Sequence, residues 1–258
     1  MKITILLIVI VLLSVATVYS DGQKQTSEPR FESGKVFHYT AKKFGIPILK
    51  VSIKIENGIL EEGRPLFQIK ACVDSLDYFG LLFRMNNRFT STVEAETCSP
   101  IRYVKEINQE GLLIEKKNYL QILTFDYLNK KMVIERTEMR EKQEIPLQPG
   151  TYEPLSMFAR CYLKEELRPG EDIRMSIYDG VRLRQMVFHS KKEKVKPKGC
   201  GEVEVICLES VTPFSTFGDK EGIIRIWYTA DGKKIPILLE LDLSIGSIKF
   251  ELEELKES

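Results

Sequence analysis

Histidine occurs twice in 258 residues, at His38 and His189, and tryptophan once. A Ser-His-Asp or Cys-His set needs an imidazole placed as a base, and neither histidine sits in a recognisable motif. His189, beside Ser190 and Lys191, reads as an exposed strand end. The five cysteines, Cys72, Cys98, Cys161, Cys200 and Cys207, are scattered and odd in number. They supply neither a disulfide scaffold nor the close Cys/His spacing of a zinc site, and Cys200 with Cys207 has no partnering pair. One or two bridges remain open to them in an oxidising compartment; buried or tolerated thiols are the plainer reading, with Cys72 on the polar phase of its strand. No glycine-rich loop follows a strand and opens a helix, so there is no phosphate cradle. Carboxylates such as Asp219 and Glu221, or Glu165 and Glu166, show no sign of converging. No cofactor or metal is expected, and no enzymatic role.

The chain also lacks a surplus of either charge. Setting aside residues 1–20 removes one cation, Lys2, and no acid, which leaves 37 Lys+Arg against 37 Asp+Glu. A general nucleic-acid binder would carry a basic excess to neutralise phosphates, so no nucleic-acid partner is expected. The densest charge run, Lys191 to Lys198, reads as a solvated hairpin loop; contact with anionic headgroups, at about 1 kcal/mol per lysine, is the sharper alternative.

Long apolar runs are absent beyond residue 20. The first segment has Lys2, then an apolar core from Ile3 to Val15, then Val18-Tyr19-Ser20, where small residues stand third from and next to a cut after Ser20. That is the pattern of a secretory leader, residues 1–20, followed by a polar linker at 21–32. An uncleaved N-terminal anchor is the competing reading, although the core is shorter than the roughly 20 residues a span requires. Export follows, with the periplasm as destination and no transmembrane span in the mature chain. About 238 residues remain, enough for one large core over 33–258.

What fills that body is period-two alternation. Leu49, Val51, Ile53 and Ile55 alternate with Lys50, Ser52, Lys54 and Glu56, and Phe67, Ile69, Ala71 and Val73 repeat the rhythm after Asn57-Gly58 and Glu62-Gly63-Arg64-Pro65. Similar segments recur at 88–94, 101–107, 119–127, 131–137, 173–178, 181–190, 202–209, 223–228, 235–243 and 247–254. The chain is predicted to be all-β and mainly antiparallel, a large curled sheet or incomplete β-barrel of about 11–12 strands. Parallel βαβ units are not expected, because the intervals hold no repeated helices.

One interval is helical. Pro154 suits a first helical position, and Leu155, Phe158, Ala159 and Tyr162 fall at i, i+3, i+4 and i+7 before Arg168-Pro169-Gly170. This lone amphipathic helix is predicted to press onto the concave side of the sheet, either as a core cap or as a plug over a ligand cavity. The segment Ser75 to Met85, with Leu76, Tyr78, Phe79, Leu81, Leu82 and Phe83, is too apolar for an ordinary hairpin loop. A short buried helix, a wide bulge and an apolar lip at a barrel mouth all fit it, the buried element best.

A set of short pieces in fixed order then resembles a known family. They are Phe44-Gly45-Ile46-Pro47, Asn87-Arg88-Phe89 with Ser99-Pro100-Ile101-Arg102-Tyr103, Pro154-Leu155-Ser156, and Arg168-Pro169-Gly170-Glu171. Tyr178-Asp179-Gly180, Trp227-Tyr228 with Lys234-Ile235-Pro236-Ile237, and Gly246-Ser247-Ile248 complete it. The chain resembles the exported bacterial domain-of-unknown-function family 3108. The resemblance implies a curved, incompletely closed antiparallel barrel with a packed helix, similar to the periplasmic lipoprotein-localisation carriers, and brings no catalytic residues. Glu153 stands where an Asp often precedes the Pro-Leu-Ser, and the five cysteines also depart from the pattern.

The expectation for function is therefore a non-catalytic envelope protein whose concave face holds a lipid or other apolar group. The expected lining is Leu49, Val51 and Ile53, Phe79 and Phe83 of the lip, Leu155, Phe158 and Tyr162 of the helix, and Ile237 and Leu239. A scaffold of an envelope assembly with no small-molecule site is the alternative, and a polysaccharide-active hydrolase the weakest.

Overall fold

The computed structural model describes residues 34–257, apart from 62, 81, 113, 115, 138–140, 179, 181, 198–200, 215–219, 244 and 245. At 58–60, 141, 212–214, 220 and 221 it describes the backbone alone. The leader, the linker, Leu81, Lys198, Cys200 and the Asp219/Glu221 carboxylates lie outside what is described.

Strand alternation carries almost the whole body. The strands are β1 (Lys35–Lys43), β2 (Ile46–Glu61), β3 (Arg64–Ser75), β4 (Arg84–Glu94), β5 (Pro100–Glu110), β6 (Lys117–Asp126), β7 (Lys131–Arg136) and β8 (Glu141–Pro146). After β9 (Thr151–Tyr152) comes the helix α1 (Pro154–Leu163), then β10 (Asp172–Tyr178), β11 (Leu183–Val195), β12 (Val203–Phe214), β13 (Lys220–Thr229), β14 (Pro236–Asp242) and β15 (Ile248–Glu257). They form one sheet in the order β8-β7-β6-β5-β4-β3-β2-β1-β15-β14-β13-β12-β11-β10-β9. The sheet is curled and does not close into a barrel. Its two edges, β8 and β9, are joined by residues 147–150, so the ends of the sheet approach each other without a ladder between them. An edge strand as charged as Glu141-Lys142-Gln143-Glu144, and one of two residues, are poor templates for further pairing.

The sequence underestimates the strands. Phe37, Tyr39 and Ala41 of β1 alternate with His38, Thr40 and Lys42 and are all buried, but the weakly apolar alanine and the polar neighbours blur the signal. The two-residue β9 has no periodicity to read. It pairs parallel to β10, with Ser176 opposite Thr151, so β9-α1-β10 is a parallel crossover that the sequence did not suggest.

Inner-facing residues of most strands meet in one core with α1 at its centre. Phe37, Leu49, Ile69, Ala71, Val73, Phe89, Leu123 and Phe188 are fully shielded there. A second, smaller cluster of Val205, Cys207 and Trp227 takes Val195, Val203, Ile237 and Leu238 against it. Ile237 thus leaves the lining expected from strict alternation. The register steps from Trp227↔Leu238 to Tyr228↔Pro236, so Ile237 is the extra residue of a bulge, and the phase of β14 shifts around it.

The 75–85 segment is a single 3₁₀ turn, Asp77–Phe79, followed by β4. Phe79 stacks on Phe83 at 5.1 Å, and Phe83 is buried, while Tyr78 and Leu82 face solvent. The segment is one part buried element and one part exposed lip. Gly111, just past the end of β5, fixes it: its φ is +154°, and a Cβ there would lie 2.5 Å from Leu82 O and Phe83 Cα. Backbone atoms cannot yield cheaply, so Gly111→Ala is expected to cost about 1–3 kcal/mol, the usual range for overpacking, read as a lower urea midpoint with an unchanged slope. An unaltered midpoint would show that the segment is loosely held.

Most of the lysine run is strand and not hairpin loop: β11 continues through Val195, and Lys192 pairs with Glu204 of β12 and Lys194 with Glu202 just before it, both at 2.9 Å, which leaves Lys196 in the connection. His189 is accordingly inside β11, where its Nδ1 lies 2.7 Å from exposed Asp172.

Candidate functional site

α1 begins at a buried carboxylate. Pro154 occupies N1, where its missing N–H has no intrahelical role, and Glu153 is the N-cap. The amides of Leu155 and Ser156 donate to Glu153 Oε2 and Oε1, each at 2.8 Å, and the Glu153 amide donates to Ser156 Oγ at 2.9 Å. This is a capping box with the acid at the cap and the serine at N3. Ser91 Oγ on β4 donates to Glu153 Oε1 at 2.5 Å and ties the helix start to the inner wall. Burial pushes the Glu153 carboxyl above its ordinary range, while Ser91 and the two amides pull the other way. At the far end Arg160 holds Glu165 and the Tyr152 hydroxyl, and Lys234 Nζ donates to Glu165 O at 2.7 Å.

Between these anchors the helix is buried on nearly every side, Leu155, Met157, Phe158, Ala159, Cys161 and Tyr162 included. Phe37 of β1 meets Phe158 edge-on at 6.0 Å and Tyr162 at 5.3 Å, and the two helix rings stack 6.4 Å apart. Behind Phe158 lies an apolar cavity of about 20 Å³ walled by Tyr39, Val51, Ile53, Leu155, Leu239 and Phe250. The Tyr39 hydroxyl is turned away, donating to Pro236 O at 2.8 Å. Such a volume is about that of one water and offers it no polar partner. In front of Tyr162, by contrast, a cleft of about 550 Å³ opens between Lys35, Gly232, Lys233, Ile235 and Leu255. That falls within the 300–1,000 Å³ typical of small-molecule sites. Phe158 walls the cavity and Tyr162 walls the cleft, and the two rings stack on each other.

Of the ten residues expected to line a site, Leu49, Val51, Ile53, Phe83, Leu155, Phe158, Tyr162 and Leu239 are buried in the core that surrounds α1. Phe79 packs against that core half-exposed, and Ile237 stands with the smaller cluster. Val51, Ile53, Leu155, Phe158 and Leu239 wall the small cavity itself. Sequence reasoning missed Phe37, Tyr39, Ile226 and Phe250. The alternation of β1 holds the signal for the first two; Glu153 has none, because its longer side chain is not among the usual cap residues.

The described residues hold no group of three or more His, Cys, Asp and Glu close enough for a metal ion. Cys72, Cys98, Cys161 and Cys207 are free thiols. Burial pushes Cys98 up to about 11 and Cys161 and Cys207 up to about 12, so these three are poor nucleophiles at neutral pH. Glu165 and Glu166 diverge, to Arg160 and to Arg168. No helix among the described residues is long and apolar enough to cross a membrane.

A solved structure with the same course of chain is the crystal structure of a beta-barrel-like protein of domain of unknown function DUF1849 from Brucella abortus. It is 12% identical, with a TM-score of 0.55 over 88% of this chain and 98% of that one, a likeness of fold. No curated protein matches. The family model described as "Protein of unknown function (DUF3108)" matches residues 36–253, nearly the whole described body, and the chain belongs to that family.

Proposed function

We propose that this protein is a non-catalytic, exported envelope protein that holds an acyl chain or similar apolar group beneath α1. The leader-like residues 1–20 support the cellular setting. The observation that carries the binding reading is the aromatic pair: a solvent cleft of ligand size is walled by Tyr162 and a small apolar cavity by Phe158, and the two rings stack on each other with Phe37 against both. In this reading the structure is the closed state, and a chain enters from the cleft as Tyr162 and the C-terminal turn of α1 move aside. The N-terminal turn stays pinned by Glu153 and Ser91. Burial of about twelve methylenes would contribute on the order of 10 kcal/mol, at about 0.8 kcal/mol per CH₂, against the cost of moving the rings.

The 20 Å³ volume favours a second reading, a scaffold whose interior is filled by its own side chains. Titration of the delipidated full chain with cis-parinaric acid separates them. Saturable binding at one probe per chain, displaced by 1-dodecanol, is the expected result. A folded sample that gives no saturable signal overturns the binding reading in favour of the scaffold.

A further inference from the structure

At one end of the sheet, apolar side chains stand in water. Five of the eight large apolar residues that are exposed among the described residues lie on three turns there: Phe44 (79% exposed) and Ile46 (56%) at β1–β2, Tyr78 (66%) and Leu82 (41%) at β3–β4, and Leu112 (81%) at β5–β6. The turns touch. The Tyr78 hydroxyl donates to Pro47 O at 2.8 Å, Leu82 lies against Gly111, and the Phe44 ring covers Gly246 of the β14–β15 turn. Lys43, at this end of β1, pairs with Ile248, whereas Lys35 at the other end pairs with Glu257 and lines the cleft in front of Tyr162. The apolar rim and the cleft are therefore at opposite ends of the sheet.

Two features set this rim apart from apolar residues scattered singly over a surface. Lys43 pairs with Ile46, so Phe44 and Gly45 form a two-residue hairpin turn, with φ of +52° and +78°. Positive φ at both central residues is the type I′ pattern, which favours Asn-Gly. A phenylalanine there is an outlier that neither the turn nor the core calls for, and strained residues gather where they serve a function. The rim is also firmly seated: Tyr78 tilts onto Phe79 at 4.7 Å, and Phe79 stacks on buried Phe83.

We propose that this rim docks the protein onto the surface of a lipid bilayer, with Phe44, Ile46, Tyr78, Leu82 and Leu112 entering the boundary between head groups and acyl chains. Contiguous exposed apolar patches mark protein or membrane contacts, and here shape and charge both favour the membrane. The tips stand on separate turns and protrude one by one; fluid lipid closes around such tips, whereas a protein partner would need a pocket for each. Counting the strand residue on each side, the three turns hold Lys43, Arg84, Lys116 and Lys117 against Asp77, Glu110 and Glu115, one cation in surplus within a body that is neutral overall. Arg84 and Lys116 share Glu110, at 3.9 and 3.5 Å. Such a surplus complements anionic head groups. Lys43 Nζ, 5.5 Å over the Phe44 ring, is buried without a hydrogen-bond partner among the described residues, and its flexible stem carries the ammonium to a lipid phosphate as Phe44 enters.

The test is co-sedimentation of residues 21–258, which contain the whole sheet and its core, with vesicles of phosphatidylethanolamine and phosphatidylglycerol in equal parts. The wild type is expected to pellet with the vesicles, and Phe44→Asn and Leu112→Ser each to weaken binding about tenfold, as the loss of one buried apolar side chain implies. Phe44→Asn is the deciding variant. It supplies the residue that the turn favours, so its melting temperature should equal or exceed that of the wild type, and lost binding is then not unfolding. Wild type left in the supernatant, or undiminished binding by Phe44→Asn, overturns the proposal. A wild type that ignores vesicles and sediments as a dimer, with both variants monomeric, overturns it in favour of a second copy on the rim. Titration with cis-parinaric acid should be the same in wild type and variants, because the cleft is at the other end, so failure here leaves the acyl-binding reading standing.

Discussion

Phe158→Ala is expected to destabilise the fold by about 3–5 kcal/mol, the range for removing a buried aromatic ring. Phe158 is 3% exposed, lies against Phe37 and Tyr162, and already borders a void of about 20 Å³. The removed ring adds its volume to that void, and the surrounding sheet, hydrogen-bonded strand to strand, can collapse only in part. The enlarged space has apolar walls, and an apolar cavity of this kind stays dry and takes up benzene or xenon. The same variant should therefore lose stability in water and recover part of it in saturating benzene, read as a rise in melting temperature absent from the wild type. Loss without recovery would show that the sheet closes over the gap.

Replacing Glu153 is the second large effect. Glu153→Ala strands two amides and the Ser91 hydroxyl at a fully buried helix start, and a loss of about 2–4 kcal/mol is expected from a lost cap combined with unsatisfied buried donors. The pH dependence has a definite sign. The folded carboxyl is held above its ordinary value of 4.5, with burial as the leading cause, so the native state binds the proton more tightly than the unfolded chain. That contribution is fully present below the unfolded value and is lost as pH rises through the folded one. Glu153→Gln keeps an acceptor for the helix amides and does not titrate. The stability of the wild type relative to Glu153→Gln should accordingly grow as pH falls from 7.5 to 4, measured by urea unfolding at each pH. A difference that shrinks over that interval would mean the carboxylate is stabilised in its charged form.

The parts of this molecule that follow from local periodicity were legible in the sequence. Leu155, Phe158, Ala159 and Tyr162 announce α1, and Val51, Ile53 and Leu155 reach the cavity wall as their phase requires. The parts set by tertiary closure were not. Ile237 obeys alternation in the sequence and breaks it in the sheet, because a bulge between β13 and β14 costs one residue of phase that no local pattern records. β9 exists because the chain must pass from one sheet edge to the other before turning inward, and two residues carry no period.

The family resemblance carried the overall architecture and no chemistry. The candidate site came from what the helix does inside the sheet: a cap that fixes one end, and two stacked rings, one at the solvent cleft and one at the apolar cavity. Its central claim is that apolar chains pass those rings. Photolysis of the delipidated full chain with a diazirine-bearing palmitate, followed by peptide mapping, tests it directly. Cross-links concentrated on α1 at Phe158 and Tyr162 and on the Val51–Ile53 wall are predicted, and excess unlabelled palmitate should remove them. Labelling confined to the outer surface, or undiminished by competitor, would contradict it.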